Sequence, residues 1–112
     1  DAVSLFIKRG IKIDYEDQFN WTALTWATKK NHLAVSKLLI ANGANIDRKD
    51  SDGTPIIHYA VANKSKEMIQ LFIESKVNLK AKDRYGLTAL VYALKAKNTE
   101  IVDIIKNAGG SY

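Results

Sequence analysis

The sequence predicts an all-α solenoid, built of short helix–turn–helix units joined by protruding turns, and three observations point there. First, the chain repeats itself. Residues 17–49, 50–82 and 83–112 align without a gap behind Asp17, Asp50 and Asp83, a period of about 33 residues of the kind that marks a repeat array. Second, residue character is kept column by column: Ala27, Ala60 and Ala93; Leu24, Ile57 and Leu90; Trp26, Tyr59 and Tyr92; Leu39, Phe72 and Ile105. Third, apolar residues in the later half of each copy recur at helical spacing, as in Val35, Leu38 and Leu39. A unit of this size cannot bury its apolar face alone, so neighbouring copies must stack.

Taken in order, Asp1–Glu16 reads as the second half of a unit. Val3, Phe6, Ile7 and Gly10 fall at helical spacing, and Ile11 and Ile13 alternate with Lys12 and Asp14 beyond them. The partner helix of this half-unit is missing, so the start reads as a fragment boundary. In residues 17–49, Asp17 is placed to accept turn amides. Asn20 stands in the column of Gly53 and Gly86, which implies a positive φ that asparagine tolerates. Thr22 is expected to cap the first helix, with Leu24 and Ala27 facing the core. The second helix offers Val35, Leu38 and Leu39 for burial and ends at Gly43.

Residues 50–82 depart from the pattern twice. Thr54 and Pro55 look like a cap and a first helical residue, so the helix is expected to start one position early. Lys76 occupies the column of Gly10, Gly43 and Gly109, where a left-handed helix end is expected. Ser65 is the expected cap of the second helix, which carries Met68, Leu71, Phe72 and Ile73. In residues 83–112, Asn98 is the expected cap of a helix carrying Ile101, Val102, Ile104 and Ile105. A finished array usually turns a polar face outward, so this copy is either a weak cap or is followed by more.

Thr22-Ala-Leu-Thr-Trp-Ala27, Ile57-His-Tyr-Ala60 and Thr88-Ala-Leu-Val-Tyr-Ala93 resemble the T-P-L-H-x-A signature of the ankyrin repeat. Asn31-His-Leu and Leu38 to Asp47 resemble the second half of the same unit. The likeness spans essentially the whole chain: a single ankyrin-repeat domain over 1–112, with a half-repeat at 1–16 and repeats at 17–49, 50–82 and 83–112. It implies the solenoid fold strongly and a function weakly, because such arrays bind partners of unrelated kinds.

Composition narrows the chemistry. With 112 residues, 46% hydrophobic and 26% charged, the chain is an ordinary small globular domain. It has no cysteine, which excludes disulfides, thiolate metal sites and a cysteine nucleophile. That fits a reducing, intracellular compartment. No apolar run approaches the roughly 18 residues of a membrane helix, so no membrane insertion is expected. His32 and His58 lack the further ligands a zinc site needs. His58 lies in the histidine slot of the repeat signature, which implies a hydrogen bond to neighbouring loop backbone. Nucleophile-elbow, P-loop and H-E-x-x-H patterns do not occur, and pairs such as Asp50 and Asp52 read as turn residues. No enzyme and no cofactor are expected.

The resemblance implies contacts along the concave side, from turn tips and the exposed ends of first helices. Its columns carry over to Phe19, Trp21, Lys29, Lys30 and Lys49, then Asp52, Thr54, Ala62 and Asn63, then Lys82, Arg84, Tyr85, Leu87 and Lys95. Phe19, Trp21, Tyr85 and Leu87 are large apolar groups on tips, read as partner anchors or as tip-to-tip packing. Trp26, Tyr59 and Tyr92 read as packing between copies. The net charge of +5 and pI near 9.4 suit an acidic partner, and the cations are also spread widely enough for a generally solvated basic surface. The expected function is a non-catalytic protein–protein interaction module for an acidic segment. The alternatives are a nucleic-acid-binding face with lysines on phosphates and aromatics stacked on bases, and an architectural spacer in a longer array. A salt series separates the first two, because phosphate binding falls steeply with salt.

Overall fold

The computed structural model of the chain describes residues 17–110, so the helix expected within 1–16 lies outside the described residues. Six helices follow in pairs: α1 Ala23–Lys29 and α2 Leu33–Ala41, α3 Ile56–Ala62 and α4 Lys66–Glu74, α5 Ala89–Lys95 and α6 Thr99–Asn107. The first helices α1, α3 and α5 pack in a row, the second helices α2, α4 and α6 form a row behind them, and the two helices of each pair pack on each other. This is the all-α repeat solenoid that the 33-residue columns require.

Local chemistry fixes most boundaries. Thr22 and Thr25 form a reciprocal capping box at α1. Ser65 Oγ accepts from the Met68 amide at α4, and Asn98 Oδ1 from the Ile101 amide at α6. His32 holds the corresponding position at α2 without a side-chain cap. Asn20 takes a φ of 59° beside 76° at both Gly53 and Gly86, and Lys76 takes 65° beside 91° at Gly43 and 96° at Gly109. Both left-handed columns are as expected. A third one, Asn31, Lys64 and Lys97 with φ between 56° and 59°, joins each first helix to its second.

Two expectations are corrected. Helix α3 begins at Ile56, in register with Ala23 and Ala89, and not one residue early. Pro55 pairs in an antiparallel bridge with Lys49, and the Ile56 amide donates to the Arg48 carbonyl. That bridge keeps Pro55 extended at ψ 150°, so Pro55 precedes the helix. On α2 the stripe expected for burial is only partly buried. Met68, Ile69 and Phe72 are buried in α4, and Ile101, Val102 and Ile105 in α6, while Leu71, Ile73 and Ile104 are half-buried. In α2 only Ser36 and Leu39 are buried, and Val35 and Leu38 are half-buried. The core lies between the two rows of helices, with Leu24, Ile57 and Leu90 from the front and Leu39, Phe72 and Ile105 from behind. Each such side chain contributes about 2 kcal/mol by burial.

Candidate functional site

Each protruding turn is organised by one aspartate. Asp17 Oδ1 accepts from the amides of Phe19 at 2.8 Å and Trp21 at 3.0 Å. Asp50 Oδ1 accepts from Asp52 and Thr54, and Asp83 Oδ1 from Tyr85 and Leu87, at 2.9–3.1 Å. The second carboxylate oxygen takes a donor from the first helix of the same repeat: Trp26 Nε1 on Asp17, Tyr59 Oη on Asp50 and Tyr92 Oη on Asp83. This explains why the aromatic column holds Trp, Tyr and Tyr, which all carry a donor, and no phenylalanine. Burial alone would raise the Asp17 and Asp83 carboxyls. The hydrogen bonds outweigh it and hold both below the usual carboxylate value. Tyr59 is pushed up to about 12 by burial and by Asp50, and Tyr92 to about 12 by its bond to Asp83 and by burial.

At the junction of the first and second full repeats, Asp50 is only 8% exposed and accepts a further donor, the Trp21 indole at 2.9 Å. The Trp21 ring lies edge-on to Trp26 at 4.5 Å and to Tyr59 at 5.6 Å. The Lys29 ammonium sits 4.8 Å from its centroid, close enough for a cation–π contact. Backbone and amide bonds tie the same two repeats: the Ser51 amide donates to the Phe19 carbonyl, and Asn63 Nδ2 donates to the Thr28 and Lys29 carbonyls that end α1. Trp21 is thus half-buried, with its N–H committed.

The next junction is more open. A cavity of about 480 Å³ is lined there by Thr54, His58, Tyr59, Tyr85, Tyr92 and Lys95, among others. His58, 6% exposed, has Nε2 3.0 Å from the Leu87 carbonyl, the loop-backbone bond expected of it, and meets Tyr92 edge-on at 5.3 Å. Nε2 must therefore carry the proton, and Nδ1 makes no hydrogen bond among the described residues. Burial lowers the His58 pKa, against the opposing pull of the Leu87 carbonyl and Asp83.

A family model described as ankyrin repeats (3 copies) matches residues 1–50 and 37–111, which together span nearly the whole chain. The protein belongs to the ankyrin-repeat family. No curated protein matches the chain significantly. Ankyrin repeats generally mediate protein–protein interaction and are typically non-catalytic. Among the described residues no helix is long and apolar enough to cross a membrane, and no group of three or more histidine or acidic side chains is placed to hold a metal.

Within the ankyrin array, the candidate contact residues separate into three kinds. Phe19 and Tyr85 stand out at the tips, 49% and 67% exposed. Arg84 lies over Tyr85 and donates to its hydroxyl at 2.8 Å. Lys29, Lys30, Lys49, Lys82, Arg84 and Lys95 are all exposed, as is Asp52. Trp21, Thr54 and Leu87 are half-buried, and Asn63 spends its amide on the neighbouring repeat. The turn aspartates accept from donors within the array, while the candidate cations are exposed. Of the aromatic column, Tyr59 and Tyr92 pack against the preceding repeat as expected. Trp26 lies against Trp21 of its own repeat and is 41% exposed, and the copy that precedes it lies outside the described residues. Sequence reading missed the cavity and the parts of His58, Tyr59 and Tyr92 that line it. The available signal was the fall in side-chain size from Trp21 to Thr54 and from Lys29 to Ala62 within their columns.

Proposed function

We propose that this ankyrin domain binds an acidic protein segment that also offers bulky apolar side chains, along the concave face that carries the turn tips. The observation that supports the reading is that the aromatic tips Phe19 and Tyr85 and six cations of the same candidate columns are all exposed. Aromatic and arginine side chains supply most of the energy in interfaces, and exposed lysines steer association. Phe19, Tyr85 and Leu87 serve as anchors, Trp21 offers a ring face beneath Lys29, and Lys30, Lys49, Lys82, Arg84 and Lys95 recruit carboxylates beside Asp52. The domain performs no catalysis in this reading.

Selection of binders from a random peptide library tests it. Recovered peptides should be enriched in Asp and Glu around an aromatic or leucine, and should keep most of their affinity between about 50 and 200 mM salt. Peptides without acidic enrichment would overturn the reading. Tighter binding to single-stranded nucleic acid than to any peptide, falling about a thousandfold or more over that salt range, would replace it with a phosphate-binding face.

A further inference from the structure

The turn-tip face builds one junction twice, with different filling. At the first junction Trp21 occupies the space between turns, donates to Asp50, meets Tyr59 edge-on, and is covered by Lys29. One period on, Asp83 and Tyr92 reproduce Asp50 and Tyr59, down to the hydroxyl bond to the carboxylate. Thr54 now stands for Trp21 and Ala62 for Lys29. The framework is retained and the filling is lost, which leaves the cavity of about 480 Å³. Among the described residues Asp83 accepts from Tyr85, Leu87 and Tyr92 but from no indole. Its second oxygen therefore keeps the lone pair that Trp21 uses on Asp50.

We propose that this cavity is a subsite for a tryptophan side chain of a partner protein, carried in a segment with Asp or Glu beside it. The inference rests on the concave-face reading and names its anchor. The indole N–H donates to Asp83, the ring packs edge-on to Tyr92, and the chain's own Trp21 is the template for that pose. Phenylalanine fills the space without satisfying Asp83. The first junction provides its own cation in Lys29, whereas here the cations stand at the rim. Lys95 replaces Ala62 and Lys64 replaces Asn31, and both line the cavity. Two ammonium groups beside an apolar slot select carboxylates on the residues flanking the tryptophan.

The test titrates the blocked tripeptide Glu-Trp-Glu into the ¹⁵N-labelled full chain, followed by amide shifts. The expected result is saturable shifts at His58, Asp83 and Tyr92, with a Kd on the order of 1 mM or tighter for this single-anchor ligand. Glu-Phe-Glu should bind about tenfold more weakly, having lost a hydrogen bond to a carboxylate, and Lys-Trp-Lys more weakly than Glu-Trp-Glu. Thr54→Trp, which fills the cavity from within, should abolish binding with the fold kept by circular dichroism. Ala62→Trp, at an exposed position on the wall, does the same work if the first variant does not fold. No shifts up to about 10 mM, equal binding of the Trp and Phe peptides, or binding indifferent to both filled variants overturns the subsite. Those outcomes leave the wider concave-face reading standing. Conversely, tripeptide binding alongside library-selected peptides that ignore the turn-tip face keeps the subsite and removes that reading.

Discussion

Lys76 holds a φ of 65° in a column otherwise occupied by glycine, with 91° at Gly43 and 96° at Gly109. Its amide donates to the Ile73 carbonyl and the Val77 amide to the Phe72 carbonyl, both at 3.0 Å. Gly43 and Ala44 make the same pair of bonds to Ile40 and Leu39, and Gly109 and Gly110 to Lys106 and Ile105. The Lys76 side chain is exposed, so Lys76→Gly changes the backbone preference and little else. The left-handed conformation costs an L-residue about 1–2 kcal/mol. The greater freedom of glycine in the unfolded chain returns about 0.4–1 kcal/mol of that. The variant should therefore be more stable by about 0.5–1 kcal/mol, a rise in Tm of about 2–8 °C for a domain of this size. Urea denaturation followed by far-UV circular dichroism should show a higher midpoint at an unchanged slope. The converse change, Gly43→Lys, meets no atom within 4 Å of the added Cβ and should lower stability by a similar amount. An unmoved or lowered midpoint for Lys76→Gly would refute the strain argument.

Trp21→Phe keeps a ring but withdraws the indole donor from the buried Asp50, and should destabilise the domain by about 1–3 kcal/mol. An unchanged midpoint would mean that the clasp does not hold the two repeats together. Because burial holds the His58 pKa below its ordinary value, the unfolded chain binds the proton first. Its contribution to stability is thus present above the unfolded value near 6.5 and is lost as pH falls from there toward the folded value. His58→Gln should flatten that part of the stability-against-pH curve, and an unaltered slope contradicts the assignment. Ser65→Ala and Asn98→Ala should each cost about 1 kcal/mol as lost caps. His32→Ala, at the position with no cap bond, should cost close to nothing, and equal losses at all three positions would discredit the capping argument.

The period, the helix pairs and two left-handed columns were legible because residue types recur from copy to copy, and three of the caps because each depends on residues within one turn of chain. Asn20 and Lys76 declare themselves by standing where glycine stands in other copies. Pro55 was misread because a local preference for the first helical position competes with a bridge to Lys49, which only the folded turn supplies. The buried face of the second helices was read from hydrophobicity alone. Helical spacing allows either Leu71 or Ile69 to accompany Phe72, and packing against α3 and α6 decides for Ile69. At the candidate site, exposure of Phe19 and Tyr85 followed from their place on tips. The Trp21–Asp50 bond did not, since it joins residues 29 apart in sequence through the stacking of two repeats. The cavity has a trace in the sequence, the smaller Thr54 and Ala62 in the columns of Trp21 and Lys29, but that trace becomes a cavity only through the stacking of two repeats.

Association kinetics of an acidic library-selected peptide with charge-reversed variants test most directly whether the turn-tip face is the binding face. Lys82→Glu combined with Arg84→Glu should slow association at least several-fold and blunt its salt dependence. Lys37→Glu, an exposed position on α2 in the row of second helices, should leave the on-rate unchanged. If reversing Lys37 slows association as much as reversing Lys82 and Arg84 together, the partner does not bind where the aromatic tips and exposed cations lie.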